Sequence, residues 1–169
     1  GGEGGGGGAA AEAYVPQPPP TVRVGPYDIP AIGLGTLPLG VTYSGGGRPS
    51  QADATALVHT ALDKGCRFFD VADMYCAGPA ETHYAERVLA DAIRGHPCGA
   101  HGTVVVGTKG GMGRTGSSAR SWVPRAFKTP AELQAAIRAS HAAMGLGKLP
   151  IKLWSFHHTD GYPTDDGCA

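Results

Sequence analysis

The sequence lacks an excess of charge of either sign and any long apolar run. Its 14 Lys and Arg residues balance 14 Asp and Glu residues. No block of like charge occurs, so the sequence does not predict the basic surface typical of a nucleic-acid-binding protein. No apolar stretch reaches the roughly 18 residues that a membrane-spanning helix needs. We therefore expect neither a nucleic-acid partner nor a membrane partner.

Cysteine is also scarce. The four cysteines stand at positions 66, 76, 98 and 168, where they form no C-x-x-C pair and match no zinc module. This spacing predicts free thiols, no metal site and a cytoplasmic or other reducing compartment. The first 20 residues contain no apolar segment of the kind found in a secretory signal.

Glycine and proline, in contrast, are abundant. Of the 28 glycines and 14 prolines, seven and four fall within residues 1–20. Such a composition predicts a disordered tail over 1–20, because ordering glycine costs much entropy and a proline-rich run favours extended coil. Residues 21–169 are then expected to form one domain.

Short strands alternate with amphipathic helices after the tail. A β-hairpin is predicted over 21–34, and strands are predicted over 66–70, 103–108 and 151–156. The first helix begins after Ser50, and its predicted buried face consists of Ala54, Leu57, Val58, Ala61 and Leu62. The second ends before Gly95, with a predicted buried face of Ala85, Val88, Leu89, Ala92 and Ile93.

A third helix is predicted from Thr129 to Gly145. Thr129 and Glu132 have the spacing of a capping box, with proline in the first turn. Residues 96–102 and 110–128 are predicted to be loops. The order is therefore a β-hairpin followed by β-α-β-α-β-α-β, which predicts an α/β fold with a parallel sheet.

Titratable residues stand at the ends of the predicted strands. Asp70 ends one strand, with Tyr75 five residues later, and Lys109 and His157 follow the next two strands. Because the carboxyl ends of parallel strands meet at one rim, these four side chains are expected to lie together.

The chemistry of such a group is specific. A phenol beside a Lys ammonium is more acidic, because the positive charge favours phenolate. The carboxylate of Asp70 would hold Lys109 charged, and His157 could orient a carbonyl oxygen. This set can protonate an oxygen as charge develops on it, which carbonyl reduction requires. The hydride itself must come from a cofactor.

Several segments resemble the aldo-keto reductases. IPAIGLGT is similar to the first barrel strand of that family, and GCRFFDVADMY resembles its Gly-x-x-Phe-x-Asp-x-Ala-x-x-Tyr segment. ERVLADAI, VVVGTKGGMGRTG and IKLWSFHHTD resemble the segments that follow. The resemblance covers roughly residues 21–160. It implies the N-terminal half of a (β/α)8 TIM barrel, which typically needs about 250 residues in full.

The resemblance also implies roles for individual residues. Tyr75 would be the general acid, Lys109 would lower its pKa, Asp70 would pair with Lys109, and His157 would position the substrate carbonyl. Thr36 and Asp70 would lie near the nicotinamide end of NADP. The implied activity is NADPH-dependent reduction of a small-molecule aldehyde, ketone or sugar.

Two alternatives remain open. Four barrel strands leave unpaired sheet edges, so the chain could be a truncated, inactive half-barrel that self-associates through these edges or binds other chains. Another TIM-barrel chemistry could instead use Lys109 as a Schiff-base amine.

Overall fold

A computed structural model describes residues 20–41, 47–100, 102–116, 121–125, 127, 129–145 and 153–157. Most of the predicted tail therefore lies outside the described residues, as do the first two positions of the predicted last strand. The elements in chain order are β1 (Thr21–Val24), β2 (Tyr27–Pro30), β3 (Leu34–Gly35), α1 (Leu37–Gly40), α2 (Gln51–Asp63), β4 (Phe68–Asp70), a 3-10 turn (Pro79–Glu81), α3 (Tyr84–Arg94), α4 (Pro97–Ala100), β5 (Val105–Gly110), β6 (Met112–Arg114), β7 (Trp122–Pro124), α5 (Pro130–Met144) and β8 (Leu153–Phe156).

The central sheet confirms the predicted fold class. Its four strands are parallel and stand in the order β3-β4-β5-β8, which is also their order along the chain. A helix covers each crossover, and α3 packs between α2 and α5. The antiparallel pair β1–β2 precedes the sheet, turning at Gly25 with a φ of +57° that glycine adopts without strain. This arrangement is the first half of a (β/α)8 barrel.

Local signals in the sequence explain where the helices begin. Ser50 Oγ accepts the Asp53 amide at 3.2 Å and caps α2. At α5 the reciprocal capping box forms, because Thr129 Oγ1 accepts the Glu132 amide while the Glu132 carboxylate accepts the Thr129 amide. Both bonds satisfy amide groups that a helix leaves unpaired at its N-terminus.

The apolar core lies between the sheet and its helices. All five predicted inner residues of α3 are buried, whereas the predicted face of α2 is partly wrong. Leu57 is 49% exposed, because the buried stripe of α2 is narrow and runs through Ala54, Val58 and Leu62 at a spacing of four. Leu57 lies to one side of that stripe.

Two predicted loops contain regular structure. Residues 97–100 form the single helical turn α4. Within 110–128, β6 and β7 pair in antiparallel register, with Gly113 opposite Val123. The prediction of one long loop was therefore wrong. Strands of only three residues, one containing a glycine, depend on their pairing partner more than on local propensity.

Across the described ranges, every helix is too short or too polar to traverse a lipid bilayer.

Candidate active site

The sheet register brings Asp70 and Lys109 together at the carboxyl edge. Asp70 pairs with Gly107 across β4 and β5, so Lys109 lies two residues further along on the same face. Lys109 Nζ donates to Asp70 Oδ2 at 2.7 Å and to the Val71 carbonyl at 2.9 Å. The Lys109 side chain is largely buried, whereas that of Asp70 is 46% exposed. The ammonium is therefore fixed, and one face of its carboxylate partner remains open.

Tyr75 packs between this ion pair and His157. Its ring centroid lies 5.0 Å from Lys109 Nζ and 5.5 Å from the centroid of the His157 ring, with the two rings at 76°. His157 is placed by its own backbone, since its amide donates to the Gly110 carbonyl at 2.9 Å and continues the β5–β8 pairing. The structure thus brings together the four residues predicted at the strand ends.

Thr36 lies next to this site and bonds to the backbone of Asp70. Its amide and its hydroxyl both donate to the Asp70 carbonyl at 2.9 Å, and the residue is almost fully buried. The hydroxyl hydrogen is therefore committed to the backbone of β4. Of Thr36 and Asp70, the Asp70 carboxylate is the group that stays open to a ligand.

The backbone of Gly40 lies so close to the backbone of Tyr75 that no side chain fits at position 40. A Cβ on Gly40 would lie 1.9 Å from the Tyr75 carbonyl oxygen and 2.4 Å from its carbon. That same carbonyl accepts the Ala85 amide at the start of α3, at 3.1 Å. The Tyr75 peptide is therefore held between α1 and α3, and the contact fixes the position of the phenol-bearing residue.

An ion pair between Arg48 and Glu81 anchors the chain after Tyr75. Arg48 donates to both carboxylate oxygens of Glu81, at 2.5 and 3.1 Å, and its guanidinium carbon lies 3.7 Å from the centre of the Tyr84 ring. Arg48 holds the pKa of Glu81 below its usual range, mainly through these hydrogen bonds. Glu81 also accepts the Ala77 amide at 3.3 Å. These contacts tie the segment before α3 to the segment before α2.

A second polar cluster, which sequence reasoning missed, lies on the outer face of the same sheet. Glu86 is fully buried, accepts the Thr108 hydroxyl at 2.5 Å and pairs with His83 Nδ1 at 2.5 Å. The available signal was a glutamate among the apolar positions of α3. A charged residue on a buried face needs partners, because an unpaired buried charge is costly.

Asp73 is the other carboxylate of this outer cluster. Its side chain is 3% exposed, its Oδ2 lies 3.5 Å from Arg125 Nη1, and its Oδ1 has no hydrogen-bond partner among the residues that the structure describes. Burial, together with the nearby Glu86 carboxylate, raises the pKa of Asp73 to about 6, whereas Arg125 opposes the change. Asp73 stands between Asp70 and Tyr75 in sequence, yet its environment differs from theirs.

No metal centre is evident in the part of the chain that the structure describes, since no three His, Cys, Asp or Glu side chains there are arranged to hold an ion.

The fold and the rim define the class of protein. A parallel sheet in chain order, with covering helices and a polar group at its carboxyl edge, is the framework of a (β/α)8-barrel protein. The Aldo/keto reductase family model matches residues 31–165, and the chain belongs to that family.

The chain is similar to part of a longer known protein. It is 39% identical over 98 residues to a pyridoxal 4-dehydrogenase from Microbacterium luteolum, a match that covers 58% of this chain and 25% of the relative. The chain therefore spans about a quarter of that relative.

Solved structures support the same fold. A glycerol dehydrogenase from Gluconobacter oxydans superposes with a TM-score of 0.62 at 22% identity, covering 85% of this chain and 41% of its own. An aldo-keto reductase from Bacillus halodurans, in a holo form, gives 0.60 at 20% identity, covering 86% and 42%. The chain thus corresponds to less than half of each barrel.

Proposed function

We propose that this chain carries the proton-transfer half of an NADPH-dependent carbonyl reductase site. The single observation that supports the proposal most strongly is the grouping of Tyr75, Lys109, Asp70 and His157 at one strand-end rim. The substrate class would be a small aldehyde, ketone or sugar. Family membership supports carbonyl reduction in general.

Each side chain has a defined task in this proposal. Tyr75 donates its phenolic proton to the carbonyl oxygen as that oxygen gains negative charge. Lys109 favours the phenolate that Tyr75 leaves behind, because its ammonium lies beside the ring. Asp70 keeps Lys109 charged and in place, and His157 hydrogen-bonds and orients the carbonyl oxygen.

A nicotinamide cofactor, when bound, supplies the hydride that these side chains cannot. The residues present fit the nicotinamide end of such a cofactor, since the half-exposed Asp70 carboxylate is an acceptor for a carboxamide N–H. In TIM barrels the phosphate site is frequently built by the loops after strands 7 and 8. The described residues contain the first four barrel strands, so NADPH binding by the 169-residue chain alone should be weak.

An isotope experiment tests this function directly. The whole protein, expressed from its natural gene, is mixed with an aldehyde and NADPH deuterated on the transferred face of C4. The product alcohol should be one mass unit heavier at the former carbonyl carbon. Absence of the label with NADPH and with NADH would contradict the proposal. We expect weak NADPH binding because the loops after strands 7 and 8 frequently build the phosphate site. Tight NADPH binding by the 169-residue chain in a fluorescence titration would show that this expectation is wrong.

The Lys109 Schiff-base alternative predicts a different reactive form of this side chain. Lys109 Nζ donates to a carboxylate and to a carbonyl, contacts that suit an ammonium rather than a neutral amine. The alternative requires borohydride to trap a carbonyl substrate on Lys109 while Tyr75 is dispensable. We favour the reductase, in which borohydride traps no adduct.

A second candidate function is association as a half-barrel without activity of its own. Its support is the sheet, where β3 and β8 each pair on one side within the described residues, and Phe156 of β8 is exposed. Unpaired strand edges favour pairing with other chains. Sedimentation of the 169-residue chain would show a dimer or larger species in that case, and a monomer at micromolar concentration would count against it.

A further inference from the structure

The outer cluster lies directly behind the candidate active site. The Asp73 amide donates to the Lys109 carbonyl at 3.0 Å, and its carbonyl accepts the His83 amide at 2.7 Å. The backbone of Asp73 is therefore locked to β5 on one side and to the start of α3 on the other. Its carboxylate is held in a fixed, buried position two residues before Tyr75.

A side chain from the β6–β7 hairpin reaches this carboxylate. The stem of Arg125 crosses Gly113, where an added Cβ would lie 3.0 Å from Arg125 Cδ, and its guanidinium lies 3.5 Å from Asp73 Oδ2. The Arg125 amide donates to the Gly111 carbonyl at 2.7 Å, so the residue is anchored to the strand that leads from Lys109. Arg125 thus links the hairpin to the site.

Charged groups face Asp73 from each element around it. Glu86 approaches from α3, His83 from the turn before α3, and Arg125 from the end of β7. Arg114 of β6 lies close as well, since its Nε donates to the Met74 carbonyl at 3.2 Å. An ionised Asp73 is attracted by Arg125 and His83 and repelled by Glu86, so a change in its charge alters the strength of its contact with Arg125.

We propose that Asp73 is a positioning residue that ties the β6–β7 hairpin to the segment carrying Tyr75, the ionised carboxylate holding Arg125 and the protonated form releasing it. Arg114 of the hairpin bonds to the carbonyl of Met74, the residue before Tyr75, and the consequence for substrate binding rests on the proposed function. The structural coupling does not. A molecule in which Asp73 is protonated should have a displaced hairpin, whether or not substrate is present.

Nuclear magnetic resonance tests the coupling without any activity. In the 169-residue chain, the Asp73 side-chain carboxyl carbon should titrate near pH 6 rather than near pH 4, because the site is buried and Glu86 is close. The indole N–H resonance of Trp122, on β7, should shift with the same midpoint. The pH-dependent shift of the Trp122 resonance should disappear in Asp73→Asn. It should persist in the control Asp28→Asn, which changes an exposed aspartate.

Two further variants predict opposite shifts of that midpoint. Arg125→Gln removes an attractive charge, so the Asp73 midpoint should rise and the Trp122 response should be lost. Glu86→Gln removes a repulsive charge, so both midpoints should fall together. Arg125 is half-exposed, so its variant should fold even where Glu86→Gln does not. A Trp122 resonance that does not follow Asp73, or that still titrates in Asp73→Asn or Arg125→Gln, overturns the proposal.

The kinetic consequence is measured separately on the whole protein. The KM for an aldehyde should rise severalfold below about pH 6 while kcat changes little, and Asp73→Asn should remove this dependence. A protein without turnover contradicts the proposed function, whereas the resonance titrations decide the coupling. A kcat that falls in parallel with the folded fraction, with KM unchanged, would indicate a purely structural Asp73 and overturn the positioning role.

Discussion

Asp70 and Asp73 are three residues apart, yet they belong to opposite faces of the same sheet edge. Asp70 is 46% exposed and bonds Lys109 Nζ at 2.7 Å, whereas Asp73 is 3% exposed and lies 3.5 Å from a guanidinium. Asp70 thus has a close cationic partner and access to solvent. Asp73 has a longer contact with its cation, Arg125, and a nearby carboxylate, Glu86, in a buried setting.

The difference indicates how one strand end can serve two purposes. The inner face presents charges that are neutralised in pairs and open to a ligand, as proton transfer to a bound carbonyl requires. The outer face holds the buried Asp73 carboxylate, which Arg125 attracts and Glu86 repels. We therefore expect the protonation of Asp73 to change with pH near its pKa of about 6. We therefore assign reaction chemistry to the inner group and positioning to the outer one, both as proposals.

Replacing Lys109 should break the inner face with the largest effect. In Lys109→Met, Asp70 loses its cation and Tyr75 loses the ammonium beside its ring, so carbonyl reduction should fall by roughly 10²–10⁴-fold, the range of a positioned proton donor. Steady-state kinetics of the whole protein measure this. The control Lys64→Met, at the exposed C-terminus of α2, should keep full turnover. Equal losses in both variants would count against the assignment.

The free energy of unfolding should depend on pH through Asp73 of the outer face. The pKa of Asp73 is about 6 in the folded chain, above the ordinary 3.8, so the folded state binds this proton more tightly. Its stabilising contribution is complete below about pH 4 and is lost as pH rises through 6. Each pKa unit corresponds to about 1.4 kcal/mol, so the loss is about 3 kcal/mol.

Urea unfolding at several pH values checks this dependence. Asp73→Asn cannot ionise, so its free energy of unfolding relative to the parent should increase by about 3 kcal/mol between pH 3 and pH 8. A difference that stays constant over this range would mean that Asp73 does not ionise near pH 6.

Gly40 offers a way to disturb the inner face through the backbone alone. An alanine there collides with the Tyr75 carbonyl, whose atoms cannot move freely because Ala85 also holds them. Gly40→Ala should cost about 1–3 kcal/mol of stability, and a shift of about 1 Å at Tyr75 would lower turnover by up to about 10²-fold. Gly47 has open space around its Cβ position, so Gly47→Ala should change neither value.

The exposed ion pair between Arg23 and Asp28 should give the smallest effect. Its atoms lie 2.7 Å apart, but both side chains are more than half exposed. Asp28→Asn should therefore change the free energy of unfolding by less than about 1 kcal/mol in urea titrations. A loss as large as that from Gly40→Ala would show that exposure is a poor guide to which charges matter in this chain.

The sequence predicts the inner face well because its signals are local and periodic. Asp70, Lys109 and His157 each follow a short strand of apolar, β-branched or aromatic residues, and parallel strands bring such ends to one rim. The helix boundaries at Ser50 and Thr129 follow from side chains that bond to backbone amides three residues on.

The outer cluster and the hairpin could not be predicted in the same way. Arg125 meets Asp73 through a pairing of two three-residue strands, which is a property of the folded chain rather than of either segment. The close approach of Gly40 to Tyr75 likewise joins residues far apart in sequence. The periodic pattern wrongly predicts that Leu57 is buried, because neighbouring residues cover only a narrow stripe of α2.

One side-by-side measurement tests the division between the two faces most directly. The kcat/KM for an aldehyde is determined at pH 8 for the whole protein and for its variants Tyr75→Phe and Asp73→Asn. We expect a loss of at least about 100-fold for Tyr75→Phe, because the proton donor is gone, and a change of less than about tenfold for Asp73→Asn, because the hairpin alone is affected. Comparable losses in the two variants, or full activity in Tyr75→Phe, would contradict this division.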